Sequence, residues 1–212
     1  MPTVLVTGFE PFADAAVNPS SEAARDVANR WPGEATVVAE RLPVAFAGAG
    51  DALAAALVRH RPDIVIALGV AEGRTAITPE RIAINIADAR IPDNTGAQPV
   101  DVPIVEGAPD GLFSTLPVKA IVRAVREAGI PSELSHSAGT YVCNHVFFRL
   151  QHALQRSDAR GGFIHVPATP QMRAGFGGAT LEQSAITAGV RVAVETALSR
   201  TADAVIPGGT LH

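Results

Sequence analysis

The sequence predicts an α/β fold, a three-layer α/β/α sandwich around a central twisted sheet that is largely parallel (mixed). Two patterns predict it. Short apolar and β-branched runs alternate along the chain with longer segments whose apolar residues recur every three or four positions, which is the order expected of strands joined by helices. One short run, DIVIAL at residues 63–68, is apolar after its first residue, as in strands that helices cover on both faces.

In the first third of the chain, local signals mark where elements begin and end. Asn18 and Pro19 are typical of a helix cap and a first helical position, and Pro62 stops the second helix. Residues 8–20 are too long and too Pro-rich for a plain turn, so we expect a loop there. The predicted elements are strand 3–7, helix 19–31, strand 36–42, helix 46–60 and strand 63–68.

The rest of the chain continues this alternation, interrupted by two irregular stretches. Residues 101–115 have little periodicity and are interpreted as a flap or an extra hairpin, whereas residues 168–178 are rich in Gly and Pro. Lid-like motion is expected in these two stretches. Gly129 ends one helix. The predicted elements are strand 80–87, helix 116–128, strand 132–136, a helix beginning near residue 142, strand 161–167 and helix 181–200.

Size, charge and hydropathy limit the class of protein. The 212 residues favour one domain, 1–212, long enough to bury a sizeable core. With 18% charged residues, a net charge of −4 and no basic run, we expect no nucleic acid and no membrane as partners. No apolar stretch approaches a membrane span, and the first residues lack the regions of a signal peptide. The single cysteine excludes an internal disulfide and fits a cytoplasmic location.

The segment SAGTYVCNHVFF at 137–148 holds that cysteine, Cys143, just after a glycine-containing turn. Apolar residues from Val142 onward recur at helical spacing, so Cys143 should lie in the first turn of a helix. There, unpaired backbone N–H groups and the helix dipole favour the thiolate, which is the nucleophilic form. A buried and inert cysteine explains the segment equally well when it is taken alone.

A cysteine nucleophile needs a base for its proton and a group that orients this base. His165 is the leading base because it lies at the C-terminal end of a predicted strand, at the sheet edge where helices begin. His165 and Cys143 can therefore meet without strain. The alternative is a core histidine with a satisfied hydrogen bond. The other histidines are His60, His136, His145, His152 and His212.

Glu80 is the leading candidate for the orienting group, with Asp88 and Asp93 as alternatives. Glu80 stands at the start of a predicted strand, close to the loop that follows Gly69. The structural alternative is an exposed carboxylate paired with Arg81, since most glutamates are exposed. No cluster of His, Cys and carboxylates has metal-ligand spacing, and no phosphate-binding glycine motif is complete. We therefore expect neither a metal nor a cofactor.

Phe9 and Phe12 are two aromatic residues on the loop after the first strand, away from any periodic core pattern. Open α/β sheets bind ligands at the carboxyl edge of their strands, which predicts that these rings line a pocket. Covering the hydrophobic core is an equally good explanation of both.

Six short segments match the pattern of one known family across nearly the whole chain. They are VLVTGFEPF at 4–12, NPS at 18–20, ERIAIN at 80–85, DARIPDN at 88–94, SAGTYVCNH at 137–145 and GFIHVP at 162–167. In this order they resemble pyroglutamyl peptidase I (pyrrolidone-carboxylate peptidase), a family of intracellular cysteine peptidases. The resemblance implies an α/β/α sandwich with no cofactor or metal, often assembled as dimers or tetramers. It places the nucleophile on Cys143, the base on His165 and the third catalytic residue on Glu80.

The resemblance also implies a substrate class and the residues that bind it. The substrates are peptides with an N-terminal pyroglutamate, whose flat and neutral lactam suits an apolar pocket. Phe9, Phe12 and Val142 are expected to form the walls of this pocket. Arg90 is expected close to the active site, where it helps the backbone N–H of Cys143 to hold the oxyanion.

Two stretches depart from the family pattern. After the third predicted strand the family usually has a Gln-Ala-Gly-Gly-like stretch, and this chain has VAEG at 70–73. Val70 and Ala71 are expected to contact the lactam mainly through backbone atoms, and Glu72 adds a charge that alters which peptides are preferred. Residues 168–170 replace the aromatic and Leu-Pro pair that often follow the catalytic histidine in the family.

Two alternatives from other functional classes remain open on the sequence. A non-catalytic domain that binds a lactam or a peptide end would explain pocket motifs combined with an altered loop. It predicts a sluggish Cys143 thiol, whereas a peptidase predicts rapid alkylation. A nucleoside phosphorylase or hydrolase on the same scaffold would also fit, because fold does not determine function. It predicts a phosphate or ribose site, for which the sequence has no motif.

Overall fold

The computed structural model describes residues 1–13, 15–173 and 179–209 and has the predicted α/β architecture. The strands are β1 (Thr3–Phe9), β2 (Thr36–Leu42), β3 (Ile64–Val70), β4 (Thr78–Pro79), β5 (Ile82–Ile84), β6 (Gly111–Phe113) and β7 (Arg160–Val166). The helices are α1 (Pro19–Asn29), α2 (Phe46–His60), α3 (Val118–Glu127), α4 (Val142–Leu154) and α5 (Gln183–Ser199), with a 3₁₀ turn at Pro170–Arg173.

The central sheet has the strand order β2-β1-β3-β7-β4. The first four of these strands are parallel, and the short edge strand β4 runs antiparallel to β7. The sheet is therefore mixed but mostly parallel, as predicted. Because β1, β3 and β7 run in the same direction, their carboxyl ends meet at one edge, where open α/β sheets place their ligands.

Helices cover both faces of this sheet. Successive side chains of a strand point to opposite faces, and on β1 this places Leu5 in one core cluster and Val4 in the other. The Leu5 cluster packs against α2 and α4, and the Val4 cluster packs against α1, α3 and α5. Phe163 on β7 belongs to the first cluster, so the face that α4 covers also carries the aromatic side chain two residues before His165.

The predicted strand 80–87 is wrong in its extent. Only β5 forms there, and it pairs antiparallel with β6 in a separate two-stranded sheet. The amide side chain of Asn144 on α4 bonds Ile84 N at 3.0 Å, Ile84 O at 2.9 Å and Ile86 O at 3.1 Å. The Asn144 side chain thus makes the hydrogen bonds that a neighbouring strand would otherwise make with this backbone. The irregular stretch 101–115 thus contributes one strand, β6, whose partner β5 lies outside that stretch, so the two do not form a hairpin within it.

Two further predictions differ from the structure. Residues 132–136 form isolated bridges, Ser132 with Ile77 and Ser135 with Glu80, instead of a continuous strand. In the predicted loop 168–178 the first half contains the 3₁₀ turn, and residues 174–178 lie outside the described residues. Within the described parts of the chain, no helix is both long enough and apolar enough to span a bilayer.

Candidate active site

Cys143 is the second residue of α4, at the end of the helix that points towards the sheet edge. Gly139, with φ of 77°, allows the chain to reverse just before the helix. Cys143 is partly exposed and lines a cavity of about 350 Å³. The helix start thus presents the only thiol of the chain to a space that can hold a small ligand.

A glycine on β3 lets the thiol approach the sheet closely. A Cβ atom added to Gly69 would lie 2.9 Å from Sγ of Cys143 and 2.7 Å from Cζ of Phe163. Gly69 is also the register partner of His165 across β3 and β7. The Cys143 thiol therefore lies over β3, next to the strand β7 that carries His165. Only glycine at position 69 leaves room for the thiol there.

We expect Gly69→Ala to reduce kcat/KM by about 10²-fold or more, because displacing a reacting atom by about 1 Å has effects of this size. Overpacking should also lower the free energy of unfolding by about 1–3 kcal/mol. Steady-state kinetics and thermal unfolding measure both. Gly209→Ala is the matched control, since its added Cβ meets nothing within 4 Å. Activity of Gly69→Ala within threefold of wild type would contradict this arrangement.

His165 and Glu80 form a buried hydrogen bond at the same edge. Nδ1 of His165 lies 2.7 Å from Oε1 of Glu80, and the two residues are 4% and 0% exposed. The Phe163 ring packs on the imidazole with its centroid at 4.9 Å, and Glu80 N donates to Phe163 O at 2.8 Å. Because a carboxylate only accepts hydrogen bonds, Nδ1 carries the proton and Nε2 is the nitrogen free to accept one.

Arg74 completes this group, and the sequence interpretation missed it. Its Nη1 lies 2.7 Å from Oε1 of Glu80. Glu80 therefore pairs with Arg74 and not with Arg81, the partner considered for an exposed glutamate. The backbone of residues 71–74 forms a turn in which Arg74 N donates to Ala71 O at 3.2 Å. A buried carboxylate needs a cation near it, but the burial of Glu80 became evident only in the structure.

Burial determines the protonation of the two reacting groups. Burial, followed by the charge of Glu80, raises the pKa of the Cys143 thiol to about 12, against smaller lowering effects of Arg74 and a backbone N–H. Burial, together with the charge of Arg74, also lowers the pKa of His165, against the raising effects of the hydrogen bond and charge of Glu80. At neutral pH the free protein therefore holds a thiol beside a neutral imidazole.

The expectation that the helix start favours a resting thiolate is thus wrong. A backbone N–H does lower the pKa of Cys143, but it is the smallest of the contributions. Desolvation outweighs it because the low-dielectric surroundings disfavour the charged form. The proton of Cys143 must therefore leave as the thiol attacks, which makes a neighbouring base necessary.

Some of the residues expected in the pocket line this cavity, and others do not. Phe9, Phe12, Val70 and Arg90 line it. Val142 does not, because it is 1% exposed and packs into the core beneath α4. Ala71 is also absent from the lining. The residues that sequence interpretation missed are Ala15, Asn18, Val44, Ile91, Thr140, Tyr141 and Met172.

Tyr141 is the most prominent of the missed residues. Its ring meets Phe12 edge-on at 5.9 Å and Phe46 at 5.3 Å, and its hydroxyl donates to Pro92 O at 2.9 Å. It thus joins the loop after β1, helix α2 and the segment before Cys143 into one aromatic wall. Its position two residues before the cysteine was the signal in the sequence.

Asp93 and Asp88, the alternatives to Glu80 as the orienting group, lie in surroundings different from those of Glu80. Asp93 is buried, and burial raises its pKa, but hydrogen bonds from Phe46 N, Thr95 and Ala97 N lower it by more. Its Oδ2 accepts from Phe46 N at 2.8 Å, so Asp93 caps α2. Asp88 is exposed and lines the cavity.

The other described histidines lie elsewhere in the structure. His60 bonds Glu40, His136 bonds Gly208 O, and His145 packs on Phe46. His152 stacks on Phe148, and His212 lies outside the described residues. Among residues 1–13, 15–173 and 179–209, no three His, Cys, Asp or Glu side chains converge as metal ligands.

Known proteins with the same sequence pattern and fold are numerous. The family model described as pyroglutamyl peptidase matches residues 2–200. The pyrrolidone-carboxylate peptidase of Cupriavidus taiwanensis is 50% identical over 216 residues, covering 100% of both chains. That of Clavibacter michiganensis subsp. michiganensis is 47% identical over 212 residues, again covering 100% of both.

Solved structures give the same result. Pyroglutamyl peptidase I of Bacillus amyloliquefaciens matches with a TM-score of 0.93 at 41% identity, covering 96% of this chain and 100% of that one. Pyrrolidone carboxyl peptidase of Thermococcus litoralis matches with a TM-score of 0.92 at 40% identity, covering 98% and 100%. The predicted fold and the predicted family are both confirmed. The chain belongs to the pyroglutamyl peptidase family of thiol-dependent peptidases.

Proposed function

We propose that this chain is a cysteine exopeptidase that hydrolyses the bond after an N-terminal pyroglutamyl residue, with Cys143 as nucleophile, His165 as general base and Glu80 as orienting group. The observation that carries the proposal is the buried 2.7 Å contact between Glu80 Oε1 and His165 Nδ1, beside the cavity that Cys143 lines. Nucleophile, base and orienting group are the three parts that thiol-dependent acyl transfer requires.

The reaction proceeds through a thioester. Nε2 of His165 takes the thiol proton while Sγ of Cys143 bonds to the pyroglutamyl carbonyl carbon. Nε2 then passes this proton to the leaving amine as the C–N bond breaks. Water attacks the thioester, gives a proton to Nε2, and releases pyroglutamate as the C–S bond breaks and the thiol is restored. Glu80 supports the positive charge that His165 carries in each transition state.

The surroundings of the thiol suit a lactam. Phe9, Phe12 and Val70 line an apolar part of the cavity, as a flat and uncharged ring requires. We propose that the oxyanion is held by the backbone N–H of Cys143 at the start of α4, with Arg90 adding positive charge. No carboxylate is needed to bind a substrate amine, because cyclisation has removed that amine.

The proposal is tested by hydrolysis of pyroglutamyl-7-amido-4-methylcoumarin by the purified, reduced protein. The matched controls are the prolyl and glutaminyl amides, which keep a similar size but carry a charged amine. We expect turnover of the pyroglutamyl amide and at least about 10²-fold lower kcat/KM for either control, because a desolvated ammonium has no partner in the pocket. Equal turnover of all three, or of none, would refute the proposed substrate class.

We expect the charge of Glu72 to influence the residue that follows pyroglutamate. Among the described residues, the cavity is lined by two carboxylates, Glu72 and Asp88, and one arginine, Arg90. Substrates with Lys next to pyroglutamate should therefore be preferred over those with Glu. Glu72→Gln should reduce this preference about two- to fivefold, as exposed charge pairs contribute modestly. Competition between the two peptides measures it, with Glu34→Gln as a surface control.

The preference should also depend on pH in a defined direction. Burial raises the pKa of Glu72, so its charge is present above that raised pKa and disappears as the pH falls through it. The preference for Lys should therefore weaken at a higher pH than an ordinary glutamate would give. An unchanged preference in Glu72→Gln at every pH would show that Glu72 does not contact the leaving peptide.

We also propose that the protein works in the cytoplasm as a dimer or tetramer. A nucleophilic thiol remains active only where it stays reduced, which favours a reducing compartment. Large apolar side chains of Val100 and Phe113 are each 65% exposed, and a neighbouring subunit would cover them.

A further inference from the structure

Arg74 makes three contacts with parts of the site that come from different segments. Its Nη1 donates to Oε1 of Glu80 at 2.7 Å and to Oγ1 of Thr78 at 2.6 Å. Its Nη2 donates to Ser137 O at 3.0 Å. One guanidinium therefore connects the loop after β3, the β4 edge and the segment that leads to Cys143.

Glu80 has few other partners. The residue is 0% exposed, and its Oε1 contacts both Arg74 and His165. Its Oε2 has no hydrogen-bond partner among the described residues. A buried carboxylate needs a counter-charge to remain ionised. Within the described residues, the permanent cation that contacts this carboxylate is Arg74.

We propose that Arg74 is a positioning residue of the reaction, which fixes the Glu80 carboxylate and thereby the imidazole of His165. This inference rests on the proposed function of the site. It is distinct from catalysis by Arg74 itself, because none of the three residues that its guanidinium contacts within the described parts of the chain lines the cavity.

The charged groups around His165 determine how the loss of Arg74 would change the pKa of this histidine. Glu80 contacts the imidazole, Cys143 lies over the same strand pair, and Arg74 is the cation that acts on it. Arg74 lowers the pKa of His165, and Glu80 raises it. Removing the guanidinium therefore leaves an imidazole that protonates more readily. Since only neutral imidazole accepts the thiol proton, the acidic limb of kcat/KM should move to higher pH.

The test compares Arg74→Met and Arg74→Lys with wild type. We expect Arg74→Met to lower kcat about 10²-fold with little change in KM, because substrate contacts are retained. Its acidic limb should move to higher pH. Arg74→Lys keeps the positive charge. It should therefore retain most of the wild-type activity, and the acidic limb of its pH profile should lie where it does in wild type. Arg59→Met is the matched control, since Arg59 forms an ion pair of the same 2.7 Å length with Glu40 on the surface.

A double variant keeps the test informative if Arg74→Met folds poorly. Arg74→Met combined with Glu80→Gln removes both charges and so avoids an unpaired buried carboxylate. If Arg74 acts through Glu80, adding Arg74→Met to Glu80→Gln should cost no more than about a further twofold in kcat. A multiplicative loss would overturn the proposal, and so would a wild-type pH profile in Arg74→Met.

A second readout does not depend on turnover. NMR titration of the His165 ring, identified by the resonance missing from His165→Gln, should show a higher pKa in Arg74→Met and an unchanged one in Arg59→Met. Failure of wild type to hydrolyse pyroglutamyl amides would refute the proposed function and leave this titration as the test of Arg74. An unchanged His165 titration in Arg74→Met would refute the role of Arg74 whatever the activity.

Discussion

Replacing Cys143 with alanine is expected to abolish hydrolysis of pyroglutamyl substrates, lowering kcat by about 10⁴-fold or more. The chain has no second cysteine, so no other thiol can form the thioester. Cys143→Ser should be nearly as inactive, because a serine hydroxyl is harder to deprotonate than a thiol and its oxygen lies nearer the backbone than sulfur does. Steady-state kinetics of both variants with pyroglutamyl-7-amido-4-methylcoumarin measure the effect.

The pocket should survive this substitution. Phe9, Phe12 and Tyr141 are placed by their own packing, so Cys143→Ala should bind the unreactive lactam 2-pyrrolidone as wild type does. This binding serves as the control for folding. Activity of Cys143→Ala within tenfold of wild type would mean that the thiol is not the nucleophile.

Replacing His165 with alanine is the second change with a very large expected effect. Desolvation raises the pKa of the Cys143 thiol to about 12, so the free thiol supplies no thiolate at neutral pH, and loss of the base should lower kcat by about 10³- to 10⁴-fold. Glu80→Gln should leave more activity than His165→Ala, because an orienting group is less essential than the base it orients. Kinetics of the two variants across pH separate their roles.

The pH profile supplies an internal control for Glu80. Its hydrogen bond and charge raise the pKa of His165, so Glu80→Gln should move the acidic limb of kcat/KM to lower pH. The amide keeps the size of the carboxylate, and thermal unfolding checks that the site remains intact. Equal and complete loss of activity in both variants, with folding preserved, would show that the role assigned to Glu80 is wrong.

Elements with strong local signals could be predicted from the sequence, and those whose partners come from distant segments could not. Strand 36–42 and helix 46–60 have the predicted bounds, since their apolar patterns and flanking prolines are local. The strand predicted at 80–87 is shortened because Asn144, on a distant helix, takes its backbone hydrogen bonds. Nothing within the strand sequence indicates that partner.

The same distinction between local signals and distant contacts applies to the residues of the site. Local context and the family pattern were enough to single out Cys143, His165 and Glu80 as candidates. Arg74 was missed because its contact with Glu80 depends on the turn at residues 71–74. The direction of the thiol pKa was also missed, since helix position is visible in sequence but burial arises only when α4 packs against β3.

Inactivation by pyroglutamyl chloromethyl ketone tests the central claim most directly, because the reagent couples lactam recognition to thiol attack. We expect activity to fall in proportion to labelling and to be lost once each chain carries one label. Mass spectrometry should locate this label on Sγ of Cys143. 2-Pyrrolidone should slow the labelling, and prolyl chloromethyl ketone should react far more slowly. Inactivation without a label on Cys143, or equal rates for the two reagents, would contradict the proposal that the pocket beside this thiol recognises pyroglutamate.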